Sequence, residues 1–319
     1  MNLNLVLQEL VVGLATGSIY ALIALGYTMV YGIIELINFA HGDIFMIGTL
    51  VAITIFNLFG VSTNTVLSGG TLIFVMFVAC LGAMVACAVL GVAIELVAYR
   101  PLRNAPRLAP LISAIGMSLI LEDVGKLWKG ISFIAFPQVV AQVNYNIGPV
   151  TITNINILVI AVSVVLMLAL QWMITSTRMG RAMRSVAQDR EAAALMGVNV
   201  DFVITFTFFV GAGLAGAAGF IYGLQYGSTV FYIGFQLGLI AFTAAVLGGI
   251  GNIVGAMLGG VLIGIIESMS TLIPDSSQGG FGLPHGGTAW ANAIIFAILI
   301  LILVFRPSGL LGQQTPEKV

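Results

Sequence analysis

The long apolar runs of this chain restrict its fold more than any other feature of the sequence. Seven runs are long enough to cross roughly 30 Å of hydrocarbon as helices, and they lie near residues 8–34, 71–98, 106–128, 155–176, 202–224, 253–273 and 289–306. Two further runs, near 40–60 and 236–251, are marginal in length. Only 7% of the 319 residues are charged, whereas about a quarter are charged in soluble domains. The sequence therefore predicts an all-α polytopic integral membrane protein with about 8–10 transmembrane helices in a single domain, residues 1–319.

Charge balance and cysteine spacing argue against several other classes. The formal net charge is −1, and no basic patch with interleaved aromatic residues supports nucleic-acid binding. Cys80 and Cys87 lie about 10 Å apart along a predicted helix, beyond the reach of a disulfide. No nucleophile–base pair or metal constellation indicates an enzyme. The first segment lacks the positive start of a cleavable signal peptide, so we expect it to stay in the membrane.

The longest polar interruption of the apolar sequence runs from Thr177 to Asp201. It contains seven of the protein's 11 basic and 12 acidic residues, namely Arg178, Arg181, Arg184, Asp189, Arg190, Glu191 and Asp201. At about 100° per residue, one side of a helix through this stretch is apolar and the other is polar. Gly197 is expected to form a left-handed cap. We predict a short amphipathic helix that either fixes topology by its positive charge or docks a soluble partner.

A family resemblance is carried first by residues within this stretch. Glu191-Ala192-Ala193, followed three residues later by Gly197, resembles the EAA loop by which permease subunits of bacterial ABC importers contact their ATPase subunits. The chain departs from the general pattern because no Ile-x-Leu-Pro ending follows the glycine. Three further stretches are similar to branched-chain amino acid permeases of the LivH type: Ile37–Gly48, Ala98–Ser118 and Ala241–Gly260.

The resemblance implies a fold, a function and a set of partners. The fold is a type II, BtuC-like permease, and the function is import of leucine, isoleucine and valine across the bacterial inner membrane. Residues 177–201 become a cytoplasmic coupling loop, whose expected ATPase-contacting residues are Arg181, Arg184, Glu191, Ala192, Ala193 and Gly197. The implied partners are two LivG/LivF-like ATPase subunits, a permease that is LivM-like or a second copy, and a periplasmic amino-acid-binding protein. This chain would bind no cofactor, because the partners hydrolyse ATP. Urea and short-amide permeases share the Ala-His-Gly-acid motif and are the alternative substrate class.

A polar break separates the first two apolar runs, and its residues are candidates for the substrate path. Asn38, His41 and Asp43 stand beside Gly42 in otherwise apolar sequence. Such a break must line protein or a water-filled cavity, because unpaired polar groups are costly in lipid. It predicts a helix start capped by Asn38 or Asp43, a metal site or proton relay at His41, or part of the substrate path.

Glycines in the C-terminal half predict close helix packing and a second break. Residues 211–216 fit the dinucleotide fingerprint formally, but they lie inside an apolar helix and follow no strand. Glycines four residues apart let helix backbones touch in lipid, and such pairs are Gly219/Gly223, Gly251/Gly255, Gly255/Gly259 and Gly260/Gly264. Gly248, Gly249 and Asn252 predict a break between two half-helices whose ends, at mid-membrane, would face the solute.

Topology follows from the arginines. They cluster at residues 100–107, in 177–201 and at Arg306, so these regions are predicted to be cytoplasmic and the Asn-rich segment 130–156 periplasmic. Either both early runs cross the membrane, or the 40–60 run is re-entrant.

Two transport mechanisms fit such a protein: a subunit of an ABC importer, or an ion-coupled secondary amino acid transporter. The chain has no Gly-x-x-x-x-Gly-Lys-Ser/Thr phosphate loop, so it would use a partner's ATP hydrolysis. An ion-coupled carrier usually needs carboxylates deep in its spans, and the best candidates, Glu95 and Glu267, lie toward predicted helix ends at the interface. The sequence therefore favours the importer.

Overall fold

The computed structural model describes residues 3–63, 65–103, 105–106, 108–276, 282–306 and 308–312. Within them the α-helices are α1 Leu3–Ile34, α2 Ala40–Leu58, α3 Gly69–Ile94, α4 Leu108–Lys129, α5 Asn154–Ser176, α6 Arg178–Gln188, α7 Arg190–Leu195, α8 Val200–Tyr226, α9 Ile233–Gly248, α10 Ile253–Ser270 and α11 Gly286–Phe305. A π-helical turn, Glu95–Tyr99, and a 3-10 turn, Arg100–Leu102, continue α3. Two antiparallel strand pairs complete the fold: β1 Ile134–Ala135 with β4 Ser228–Thr229, and β2 Asn144–Ile147 with β3 Val150–Thr153.

The membrane spans agree with the hydropathy pattern. Among the described residues, eight helices are long and apolar enough to cross a membrane: α1, α2, α3, α4, α5, α8, α10 and α11. They include the seven predicted spans and the marginal run at 40–60. The second marginal run forms α9, which has 16 residues and is shorter than the others. The predicted polytopic helical fold is confirmed.

Contacts at helix ends show that α1 and α2 both cross. Gln8, near the start of α1, exchanges two hydrogen bonds of 3.0 and 2.8 Å with the backbone of Thr151 in the β2–β3 hairpin. At the opposite end of α1, the carbonyl of Ile33 accepts a hydrogen bond from Arg190 of α7. The last turns of α2 return toward the hairpin, where Phe56 packs on Phe136 beside β1. Of the two topologies left open above, the structure therefore has both early runs crossing.

The arginines of the described residues share one end of the bundle, which we call the arginine face; the end with the β2–β3 hairpin is the hairpin face. Arg100 and Arg103 bind Asp201 at the start of α8. Arg306 follows α11, and the segment after it returns to the end of α9, where the Leu310 N–H donates to the Leu247 carbonyl at 2.8 Å. The predicted grouping of these loops on one side is confirmed.

Glycines allow the central helices to pack with their backbones in contact, as predicted. A Cβ atom at Gly264 of α10 would overlap the backbone of Gly17 in α1, and one at Gly260 would overlap Ala21. Gly13 of α1 faces the backbone of Ile265 in the same way. In lipid there is no hydrophobic driving force between helices, so van der Waals contacts of this kind drive their association instead.

The other predicted glycine pairs have mixed outcomes. Gly255 and Gly259 of α10 contact Gly248 and Ala244 of α9, so this pair is confirmed. The pair that began at Gly251 is wrong, because Gly251 lies outside any helix and has a φ of +88°. Residues 211–216 are buried inside α8, so they pack against neighbouring helices, as the sequence indicated.

Candidate coupling and transport site

The amphipathic helix predicted between α5 and α8 is two helices, so the prediction of a single helix is wrong. Asp189 separates α6 from α7 with an extended backbone, φ −157°. Its Oδ1 atom accepts hydrogen bonds from the N–H groups of Glu191 and Ala192 at 2.9 and 3.0 Å. An aspartate that caps the free donors of a first helical turn starts a new helix. The periodicity placed Asp189 on a continuous helix and did not anticipate this cap.

The ends of the two-helix segment are fixed by local capping. Thr177 caps α6, because its Oγ1 accepts a hydrogen bond from the Gly180 N–H at 3.0 Å. Gly197 has a φ of +84°, which confirms the predicted left-handed cap after α7. Asn199 then caps α8 by accepting the Phe202 N–H at 3.0 Å. Each of these helix boundaries is therefore fixed by a residue whose side chain or backbone conformation can cap a helix.

The two helices bury small and apolar side chains and expose charged ones. Met183, Val186 and Ala193 are buried against the rest of the protein. The expected contact residues Arg181, Arg184, Glu191, Ala192 and Gly197 are exposed, whereas Ala193 is not. The Arg184 guanidinium also donates to the Ile174 carbonyl at the end of α5.

Two large apolar side chains at the end of α7 were missed by the sequence analysis. Leu195 is 88% exposed and Met196 is 85% exposed. Both lie on the arginine face, outside the spans, and the described residues of this chain leave them uncovered. Neighbouring exposed apolar side chains in such a place are typical of an interaction site. Their position directly before the Gly197 cap was the available signal.

An ion-pair network that is buried at Glu95 and exposed at Asp201 ties the exit of this segment to the end of α3. Glu95 has no exposed surface, although it was predicted to be interfacial. It pairs with Arg103 and accepts a hydrogen bond from Thr205 of α8 at 2.9 Å. Arg103 and Arg100 both bind Asp201, at 2.5 and 2.8 Å. A buried carboxylate needs such partners, so Glu95 holds α3 and α8 together.

A cavity of about 480 Å³ lies between the two-helix segment and the end of α1. Its walls include residues 33–36, residues 186–191 and Arg103. Glu35 adopts a φ of +55° directly after α1, a conformation that is uncommon for residues other than glycine. The cavity therefore lies between α6–α7 on the arginine face and the chain that leads into the first polar break.

The first polar break is buried in the helix bundle. Asn38, His41 and Asp43 are only 2%, 1% and 0% exposed. The predicted helix start is correct, since α2 begins at Ala40, but the predicted side-chain cap is wrong because no side chain caps this end. Asn38 instead accepts a hydrogen bond from the Tyr99 hydroxyl at 3.1 Å.

Asp43 lies where the N-terminal ends of two helices meet. It occupies the first turn of α2 and contacts Gly234 in the first turn of α9. Its Oδ2 atom accepts a hydrogen bond from Ser118 of α4. Negative charge is favourable at helix N-termini, so this position suits an acidic side chain. Tyr99 and Ser118 were missed by the sequence analysis, although polar residues inside spans were a signal.

Several polar atoms around this break have no hydrogen-bond partner among the residues that the structure describes. They are Thr28 Oγ1, Asn38 Nδ2, His41 Nε2 and Asp43 Oδ1. The His41 ring packs edge-on against Tyr27, with ring centroids 4.8 Å apart, and fills space that a side chain at Gly26 would occupy. Among the residues that the structure describes, no three His, Cys, Asp or Glu side chains are grouped to share a metal ion.

The second break is confirmed as a structural feature, but its predicted mid-membrane position is wrong. Gly249 and Gly251 have φ values of +107° and +88° between α9 and α10. Asn252 accepts the Gly255 N–H at 3.0 Å and donates to the Leu311 carbonyl at 2.7 Å. These contacts place Gly248, Gly249 and Asn252 at the arginine face, beside the segment that follows α11.

The structure does not bring the polar side chains of the two breaks together. Asp43 lies beside the start of α9 at Gly234, whereas the second break follows the end of α9 at Gly248. The 1.5 Å rise of a helix puts these two glycines about 21 Å apart. Packing of α9 against α2 at one end and α10 at the other accounts for the separation.

Comparisons with known proteins agree with this architecture. Residues 10–303 match the family described as branched-chain amino acid transport system / permease component. The high-affinity branched-chain amino acid transport system permease protein LivH of Escherichia coli K12 is 44% identical, over 98% of this chain and 97% of its own length. BraD of Pseudomonas aeruginosa PAO1, with the same descriptive name, is 42% identical over 98% of both chains.

A probable branched-chain amino acid permease, LivH of Methanocaldococcus jannaschii, is 28% identical over 92% of this chain and 89% of its own. No solved structure was found to match. The family match covers nearly all of α1 to α11 and includes both polar breaks and the two-helix segment. This chain therefore belongs to the family of permease components of branched-chain amino acid transport systems.

Proposed function

We propose that this protein is the membrane-spanning permease subunit of a binding-protein-dependent ABC importer for leucine, isoleucine and valine. The observation that carries the proposal is similarity over nearly the whole chain to permeases named for high-affinity branched-chain amino acid transport. The multi-pass helical fold and the helical segment exposed on the arginine face fit that role. The positive-inside rule makes this face cytoplasmic, and the bacterial relatives support placement in the inner membrane.

The two-helix segment α6–α7 is proposed to dock the ATPase subunits, two proteins of the LivG/LivF type. Arg181, Arg184, Glu191 and Ala192 present charge and a close-approach surface, while Leu195 and Met196 supply apolar contact. Ala193 and Gly197 act indirectly, because one packs α7 onto the protein and the other ends it. The absence of a phosphate loop from the sequence supports ATP hydrolysis by the partners rather than by this chain.

Two further partners are proposed for the complete importer. A second permease, homologous and LivM-like or a second copy of this chain, would complete the path through the membrane. A periplasmic amino-acid-binding protein would deliver substrate at the hairpin face. The exposed β2–β3 hairpin and the start of α1 lie at that face, which supports it as the receiving side.

The substrate path is proposed to run beside the first polar break. A buried polar atom without a partner costs about 1–3 kcal/mol, and Asn38, His41 and Asp43 each carry one. These groups therefore favour any arrangement that gives them a partner, such as a second conformation in the transport cycle. Gly248, Gly249 and Asn252 are proposed to shape the cytoplasmic end of the path by fixing the turn between α9 and α10.

Substrate competition tests the proposed specificity. Membranes that contain the complete importer should take up radiolabelled leucine, and unlabelled isoleucine or valine in excess should reduce that uptake by at least about tenfold. Urea and acetamide at the same concentration should leave it unchanged, because neither offers an α-carboxylate or a branched side chain. Membranes that lack this chain serve as the control. Strong competition by urea, or urea uptake that depends on this chain, would assign it to the urea and short-amide permeases instead.

A further inference from the structure

We infer that Arg190 is a positioning residue that transmits movement of α7 to the end of α1 and so to the first polar break. The inference rests on the proposed function, because it assumes that α6–α7 receives the movement of the ATPase. It assigns the transmission to one side chain and one backbone carbonyl, which can be tested separately from docking.

The contact itself joins α7 to a helix C-terminus. The Arg190 guanidinium donates through Nη2 to the Ile33 carbonyl at 2.9 Å, across 157 residues of sequence. The last carbonyls of a helix lack partners within the helix, and a cation there also interacts with the negative end of the helix dipole. Both charge and hydrogen bonding therefore hold Arg190 at the end of α1. At about 100° per residue, Arg190 falls on the apolar side of the stretch from Thr177 to Asp201, whereas Arg181 and Arg184 fall on the polar side.

The packing around this contact runs through α6. Helix α7 packs against α6 and α8, and α6 packs against α1, while the cavity of about 480 Å³ lies between residues 186–191 and residues 33–36. Because the cavity opens between α7 and the end of α1, the Arg190 side chain reaches the Ile33 carbonyl beside it. The arginine is therefore a direct link between α7 and α1, in addition to the indirect link through α6.

The chain beyond Ile33 is built to turn there. Glu35, two residues further on, ends α1 with a left-handed φ of +55°, and its N–H donates to the Tyr31 carbonyl at 2.7 Å. Non-glycine residues in this region are found at switch regions, where the surrounding structure holds them. Asn38 follows three residues later, and His41 and Asp43 lie in the first turn of α2. A displacement of Ile33 therefore acts on the segment that carries all three polar side chains.

The test measures the ratio of leucine transported to ATP hydrolysed, and not transport alone. The complete importer is purified with Arg190→Ala, Arg190→Gln or Arg190→Lys and reconstituted into vesicles, and leucine uptake and ATP hydrolysis are measured on the same preparation. Arg178→Ala is the matched control, because it removes an arginine from the same segment whose side chain is exposed. We expect Arg190→Ala to assemble and hydrolyse ATP while transporting at least about tenfold less leucine per ATP, a typical strength of coupling between two sites. Arg190→Lys should recover part of the ratio, since it keeps the charge and a donor, and Arg190→Gln should recover less.

Each other outcome contradicts the inference. An unchanged ratio of leucine to ATP in an assembled Arg190→Ala importer would show that the contact does not transmit movement. Failure of all three variants to assemble would assign Arg190 a purely structural role. An equal loss in Arg178→Ala would show that the effect is not specific to the contact between Arg190 and Ile33. Loss of ATPase binding in Glu191 and Gly197 variants tests the proposed function separately, because among the described residues it is Arg190, and neither of these two, that donates a hydrogen bond to the Ile33 carbonyl.

Discussion

Replacing Gly264 by leucine is expected to prevent the protein from accumulating in the membrane in folded form. The reason is the contact between α1 and α10, where a Cβ at Gly264 would overlap the backbone atoms of Gly17. Backbone cannot rotate away as a side chain can, so the two helices would have to separate along their length. Overpacking usually costs about 1–3 kcal/mol, and we expect this site to exceed that range. Membrane abundance and thermal unfolding of the detergent-purified protein measure the effect.

Gly116→Leu is the matched control for this prediction. Gly116 also lies within a helical span, α4, but among the described residues no atom other than its local backbone lies within 4 Å of the position that its Cβ would occupy. We therefore expect Gly116→Leu to accumulate close to the wild-type level. Equal abundance and equal unfolding temperature for Gly264→Leu and Gly116→Leu would show that the close approach of α1 and α10 does not limit the fold.

Replacing Gly197 by leucine is expected to lower leucine uptake by about 5- to 30-fold without removing the protein from the membrane. The φ of +84° at Gly197 is costly for a residue with a Cβ, by about 1–2 kcal/mol. In the described part of the chain, no neighbouring atom lies within 4 Å of the Cβ position, so the effect comes from the backbone and not from a clash. The chain between Met196 and Asn199 would change direction, and the exposed Leu195 and Met196 would move with it. Uptake is measured beside membrane abundance and the amount of copurified ATPase.

Gly197→Asn distinguishes the cost of the left-handed backbone conformation from any other effect of replacing the glycine. Asparagine tolerates the left-handed region better than leucine does, so Gly197→Asn should retain most uptake. Glu191→Ala should also lower uptake, because it removes an exposed charge that could pair with a cation of the ATPase. Wild-type uptake by Gly197→Leu and Glu191→Ala at equal abundance would mean that α6–α7 only fixes topology, and would move the search for the docking site to the loop around Arg100 and Arg103.

Local sequence rules predicted the spans and several of the turns. Hydropathy gave the length of each crossing helix, because the bilayer sets that length for every membrane protein. Gly197 was predicted as a left-handed cap because few other residues adopt its conformation. The arginines predicted which loops share a face, since charge and not packing decides that property.

Features that depend on tertiary contacts could not be predicted in the same way. The cap formed by Asp189 competes with continuation of α6, and periodicity cannot weigh the two. Glu95 was expected at the interface because it stands near a helix end, but Arg103 and Thr205 give it partners that only folding brings close. The second polar break was expected at mid-membrane, whereas its contacts place it at the arginine face, and α9 lies between it and the first break. Two polar breaks that look alike in the sequence can lie far apart in the fold, because tertiary packing sets the distance between them.

ATP-driven leucine uptake by vesicles that contain the purified importer distinguishes a subunit of an ABC importer from an ion-coupled transporter. We expect uptake to require ATP on the side of the arginine face, to require the copurified ATPase, and to continue after proton and sodium gradients are collapsed. Leucine uptake by this chain alone, driven by an imposed ion gradient without any ATPase, would contradict this expectation and would identify the chain as an ion-coupled transporter.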